Sequence, residues 1–243
     1  FRNGERLNYN LTLGKFKNAG VAETFVASSG KIGDKNAVEL QSRIKTTEFV
    51  SAAFYLLDES RTTFASAETG LPLYVRKTSN AAVLPQETIS NFLTNPTTNF
   101  DLLTLIYQAR YMGGVGSFPL LEDEKNYVVN FQRTGSEKFK NELGEFDTNI
   151  STVQSQYFTD IGISEVRINF TNDDAKIPVL FRFKTAKGEL IAEISGIQGA
   201  EIPVSQTPVV IKTPVTQVTP KPIATPLPYI DNEPLSPDLP FVL

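Results

Sequence analysis

The chain has 243 residues, 40% of them hydrophobic, enough for a full core in one large β domain or two small ones. Its formal charge of −4 comes from 23 basic and 27 acidic residues scattered along the chain, with no basic stripe, which argues against a nucleic-acid partner. The lack of cysteine excludes disulfides, thiolate zinc sites and thiol catalysis, and the lack of histidine removes the commonest general base and metal ligand, so no cofactor is expected.

In chain order, Leu7, Tyr9, Leu11 and Leu13 alternate with Asn8, Asn10 and Thr12, the period-two signature of a half-buried strand. Similar patterns predict strands over 21–27, 37–44, 53–57, 59–65 and 72–77. The longest nearly unbroken apolar run, Phe49–Leu57, is about half of what a membrane-spanning helix requires. Residues 84–94 read as a short helix. The clearest helix is 100–111, where Leu102, Leu105, Ile106 and Ala109 form one apolar stripe and Gly113–Gly114 can end it. Further strands are expected over 127–133, 146–153, 166–171, 178–184 and 189–195. The fold class is therefore mainly β: an antiparallel curved sheet or incomplete barrel around one helix, followed by an extended proline-rich C-terminal tail. Tyr9, Leu11, Phe64, Leu71, Phe131, Ile168, Phe170 and Phe181 are the expected core.

Within the β-rich domain of residues 1–198 the sequence echoes itself. At an offset of 106, Arg61, Phe64, Pro72 and Arg76 match Arg167, Phe170, Pro178 and Arg182, which predicts two hairpins of the same build at 61–77 and 167–183.

From residue 199 the composition changes, with ten of the fifteen prolines in the last 45 residues. Thr-Pro recurs every six residues at Thr207, Thr213, Thr219 and Thr225, and every proline from Pro208 to Pro234 has an even number. Successive N–H groups of an extended chain point to opposite edges, so these prolines strip donors from one edge only. The other edge suits docking on a sheet, and Val209, Ile211, Val215, Gln217, Ile223, Leu227 and Tyr229 are the expected docking residues. In polyproline II geometry one face would instead read Pro208, Ile211, Pro214, Gln217, Pro220, Ile223, Pro226 and Tyr229, again largely apolar.

Candidate chemistry is sparse. Glu122, Asp123 and Glu124 read as a solvated hairpin tip, and Asp173 and Asp174 read as turn residues that bond their own backbone. Asp58 and Glu59 read as a strand end. Gly113, Gly114 and Gly116 follow a helix, whereas a phosphate-binding loop precedes one, so they read as its C-terminal cap. No G-x-S-x-G elbow occurs, and a serine nucleophile would need a lysine partner. Sites of the N-glycosylation pattern at Asn10, Asn149 and Asn169 fall in alternating strands, where they carry no functional reading.

GERLNYNLTLG at Gly4–Gly14, TTFASAETGLPLYVRK at Thr62–Lys77, FDLLTLIYQAR at Phe100–Arg110, LGEFDT at Leu143–Thr148 and DDAKIPVLFRF at Asp173–Phe183 resemble an exported bacterial family, domain of unknown function 3108. The resemblance covers residues 4–198 and leaves the tail outside. It implies a β-rich periplasmic or cell-surface protein, similar in hairpin style to half-barrel lipoprotein carriers, and supplies no catalytic residues. The start at Phe1, without methionine, fits a processed N-terminus, with any signal peptide or lipid-bearing cysteine upstream.

Two functions compete. The first is a non-catalytic envelope protein whose tail adds a strand to a protein partner, copies of itself included. The second is a carrier holding a lipid or other hydrophobic ligand in a cavity beneath the curved sheet.

Overall fold

The computed structural model describes residues 1–53, 57–80 and 84–199. Alternating patterns place β1 (Arg6–Leu13), β2 (Phe16–Ile32) and β3 (Lys35–Thr46) in a meander, with α1 (Glu48–Ala53) leading to β4 (Asp58–Ser66), β5 (Pro72–Ser79) and β6 (Gln86–Asn91). Helix α2 (Leu102–Tyr111) then crosses to β7 (Gly116–Glu122), β8 (Lys125–Asn141) and β9 (Gly144–Gln154). A short α3 (Gln156–Asp160) precedes β10 (Ile163–Thr171), β11 (Pro178–Thr185) and β12 (Gly188–Gln198). The order three strands, short helix, three strands thus occurs twice, on either side of α2.

All twelve strands form one antiparallel sheet in the order β6-β5-β4-β3-β2-β1-β12-β11-β10-β9-β8-β7. First and last strands meet in the middle, Leu11 opposite Ala192, so the open ends are β6 and β7, the two strands that α2 connects. The mainly β, antiparallel, unclosed architecture matches the sequence reading.

The interior is filled. Leu105 and Ala109 of α2 pack with Phe118, Leu120, Phe131, Ile168 and Phe170 on one side. Leu103, two residues earlier, packs with Val26, Val38, Leu40 and Ala65 on the other. A third cluster joins Leu7, Tyr9, Leu11 and Leu13 to Ile177, Val179 and Ile194. A helix that buries side chains on opposed faces can serve as the core of a rolled sheet.

Several expectations need correction. Residues 84–94 hold the strand β6, not a helix: Thr88 and Ile89 are β-branched, and pairing with β5 outweighs local helical preference. Of the expected strand over 53–57, Ala53 instead ends α1, and 54–56 lie outside the described residues. Among the described residues α1 and α3 join the expected α2 as helices, and β7 and α3 carried no period strong enough to be read. Of the expected core, Tyr9, Leu11, Phe131, Ile168 and Phe170 are buried, while Leu71 and Phe181 are partly buried against it. Phe64 is the misplaced one. It lies half-buried on the outer face against Tyr74, because its neighbours Thr63 and Ala65 point inward.

In the hairpins, Pro72 opens β5 opposite Ala65, and Pro178 opens β11 opposite Phe170. The second strands therefore follow the sequence offset, but the first strands run one residue out of step, Arg61 taking the place of Val166. Arg61 consequently faces inward and Arg167 faces solvent.

Candidate functional site

The tail residues Val209, Ile211, Val215, Gln217, Ile223, Leu227 and Tyr229 lie outside the described residues. What the described residues offer is the pair of sheet edges on either side of α2 and the polar groups that hold the helix between them.

At the start of α2, Asp101 caps the helix: its Oδ1 accepts from the Thr104 N–H at 2.9 Å, and Thr104 Oγ1 accepts from the Asp101 N–H at 3.1 Å. The second Asp101 oxygen accepts from Thr63 Oγ1 at 2.7 Å and from Arg61 at 3.3 Å, both on β4. Arg61, 4% exposed, also makes a fork with Glu122 at the end of β7, at 2.9 and 2.5 Å. Lys77 of β5 adds bonds to Glu122 at 3.0 Å and to Asp123 at 3.2 Å. Strands from opposite ends of the sheet are thus tied together through side chains. Burial pushes the Glu122 carboxyl up, but the bonds and charge of Arg61, joined by Lys77, hold it below its ordinary value. Burial likewise opposes the Arg61 cation, and Glu122 with Asp101 more than restores it.

The other end of α2 is held the same way. Arg110 forms a fork on the fully buried carboxylate of Glu5, with one arm at 2.8 Å, and its Nε donates to the Ala175 carbonyl at 2.7 Å. The acid at the N-terminus and the base in the last turn both complement the helix dipole. Gly113 and Gly114 then end the helix with φ of 70° and 75°, as expected. A Cβ on Gly114 would stand 2.2 Å from Ser151 Oγ and 2.8 Å from the Phe170 ring. Burial, reinforced by Glu5, raises the neighbouring Tyr107 to about 12.

The reading of Glu122 as part of a solvated tip is corrected. Only Asp123 and Glu124 form that tip, with φ of 48° and 63° in a two-residue hairpin loop, whereas Glu122 is 4% exposed. Asp173 behaves as a turn residue, Oδ1 accepting from the Ala175 and Lys176 N–H groups, both at 2.9 Å. Asp58 opens β4 beside Lys45, and Asn169 of the glycosylation pattern is buried on Thr148 and Glu137. The pairing of Arg61 with Glu122 and of Arg110 with Glu5 was not legible in the sequence, since pairs separated by 61 and 105 residues leave no local signal.

The two edges differ. Along β7, Pro119 has no N–H to offer, and its carbonyl accepts from the Phe100 N–H at 2.9 Å. Leu121 N–H returns to the Phe100 carbonyl at 2.8 Å, so the segment before α2 covers that edge. On the other side, Phe92 N–H donates to the Leu73 carbonyl at 2.8 Å, and Tyr74 stands opposite Asn91. Antiparallel alternation then assigns Gln86, Thr88 and Ser90 to the β5 ladder and turns the N–H and C=O of Glu87, Ile89 and Asn91 outward. No described residue bonds those outward groups. Ile89 is 53% exposed, and Glu87 is held by Arg76 at 2.7 Å. Two hollows of about 400 and 370 Å³ line the outside, one against α3 and β8–β10, the other among Glu165, Arg167, Arg182, Lys184 and Glu189, and both are open rather than enclosed.

These features define an open antiparallel β-sheet rolled around a helix clamped at both ends. The chain belongs to the protein family of unknown function DUF3108, whose model matches residues 8–195. Among functionally curated proteins none matches the sequence. Similar solved structures include a β-barrel-like protein of domain of unknown function DUF1849 from Brucella abortus, at 11% identity and TM-score 0.47 over 80% of this chain and 97% of that one. A Bacteroides fragilis protein, provisionally described as exported and YmcC-like in fold, matches at 11% identity and TM-score 0.38 over 81% of this chain and 96% of that one. A Parabacteroides distasonis protein provisionally classed as a lipoprotein matches at 9% identity and TM-score 0.35 over 81% and 95%. No described helix is long and apolar enough to cross a membrane.

Proposed function

We propose that this is a non-catalytic interaction protein of the bacterial envelope, whose Thr-Pro segment docks by strand addition on a neighbouring subunit. One observation carries the reading: a sheet whose β7 edge is covered ends at β6 in an edge whose outward main-chain groups no described residue bonds. The proline phase of residues 208–234 supports it from the donor side, since a docked strand would bond along its odd-numbered edge only. An envelope location agrees with the provisional descriptions of two fold neighbours as exported and as a lipoprotein. The carrier reading has less support, since α2 packs buried side chains against the sheet on both sides.

The test is the size of the native complex in envelope extracts. Deleting residues 205–243 should release a folded monomer. Ile211→Pro, which removes a donor on the docking edge, should weaken the complex more than Val210→Pro, which adds to an edge already blocked. Equal effects of the two prolines, or an unchanged complex after the deletion, would count against strand addition.

A further inference from the structure

Resting on the strand-addition reading, we infer that the acceptor is the β6 edge of a second copy of this chain, so that copies join head to tail.

The main-chain pattern of the two partners is complementary. The outward groups of β6 belong to Glu87, Ile89 and Asn91, every second residue over a strand of six. In the Thr-Pro segment, Val209, Ile211, Thr213, Val215 and Gln217 all keep their N–H groups, and Pro208 and Pro214 fall between them. A strand laid along β6 can therefore match every outward donor and acceptor without a proline reaching the ladder. Its far edge then carries the prolines and accepts no further strand, which ends the sheet.

Side chains point the same way. Ile89 is exposed on the edge, and a β-branched residue such as Ile211 or Val209 placed opposite it supplies the favoured cross-strand pair. The only carboxylate on β6, Glu87, is engaged by Arg76, and the sole charge in residues 207–218 is Lys212, so no like charges oppose docking. Donor and acceptor are different surfaces of one chain, so the contact is heterologous and produces open chains or rings, the smallest ring being a dimer that exchanges tails reciprocally.

Sedimentation velocity of the full chain across concentrations, with hydrogen exchange on the same samples, tests this. The expected result is concentration-dependent growth beyond the monomer, with the amides of Glu87, Ile89 and Asn91 gaining protection on assembly while those of Gln86, Thr88 and Ser90 are protected throughout. Ile89→Pro removes an outward donor that β5 does not use, and Ile211→Pro removes its counterpart. Each should raise the association midpoint at least about tenfold, the equivalent of 1.4 kcal/mol. An equal mixture of the two variants should form a 1:1 complex, because one retains a working tail and the other a working edge. Assembly that survives Ile89→Pro but fails with Ile211→Pro, with no added protection at 87, 89 and 91, would overturn the β6 assignment and leave strand addition standing. A full chain that stays monomeric at all concentrations would overturn self-docking, and the tail-deletion test would then decide strand addition to a different protein.

Discussion

The β7 and β6 ends of the sheet are chemically unlike although each is the last strand of the same ladder. β7 contributes Phe118, Leu120 and Glu122 to the interior, carries a proline, and has its outer edge bonded to Phe100. β6 is almost wholly exposed along its six residues, and no described residue bonds its outward main-chain groups. A sheet that does not close must deal with two edges, and here one is covered by the helix-bearing connection while the other is bonded by no described residue. The ion cluster explains why the covered edge is β7. Arg61, Lys77 and Asp101 receive the carboxylate at its end, so that edge is anchored against β4 and β5.

The strongest way to break this contrast is to unfasten β7. Arg61→Ala leaves Asp101 buried without its cation and Glu122 with Lys77 alone, and should cost about 3–5 kcal/mol in chemical denaturation. A loss below about 1 kcal/mol would mean that water reaches the cluster and the seam does not anchor β7. Phe170→Ala, in the core that β7 and α2 share, should also cost about 3–5 kcal/mol, since the ring is almost fully buried.

Gly114→Ala should cost less, about 1–3 kcal/mol, through its left-handed backbone and the contact with Ser151 and Phe170. The accompanying sign is loss of the Ser151 Oγ bond to the Gly114 carbonyl, now 2.7 Å, readable as faster amide exchange around the end of α2.

The pH dependence follows from the same seam. The folded-state pKa of Glu122 lies below its ordinary 4.5, so its stabilisation is complete above that value and is lost as pH falls through the lower folded-state value. Lys77 is raised above 10.5 by Glu122 and Glu59, against the desolvation that opposes it, so its contribution is present below 10.5 and fades as pH rises through the folded-state value. Denaturation midpoints of Glu122→Gln should thus show a flatter acid limb than the parent. An unaltered limb would remove the carboxylate from the account.

The smallest effect belongs to the bare edge. Ile89→Thr keeps the β-branch and the β5 ladder, and should change the stability of the body by no more than about 0.5 kcal/mol. A cost comparable to Phe170→Ala would show that Ile89 is covered within its own chain.

Local periodicity determined most of the strands. Alternation in 7–13 and 166–171 reports a half-buried ribbon whatever its neighbours, and the 100–111 stripe with its Gly113–Gly114 stop reports a helix, because both periods are properties of a few consecutive residues. The proline phase of the tail is likewise a property of sequence, although its docking residues lie outside the described ones. What tertiary structure decided is which face and which neighbour each element received. Phe64 and Phe170 occupy matching places in the echoed sequence, yet one points out and the other in, since a one-residue difference in register inverts a strand's faces. Gln86–Asn91 became a strand only because β5 offered it a ladder, and Glu122 became a buried anchor only because rolling the sheet brought Arg61 to it from 61 residues away. Pairings of that kind are set by closure of the whole sheet around α2, a constraint that no short window of sequence contains.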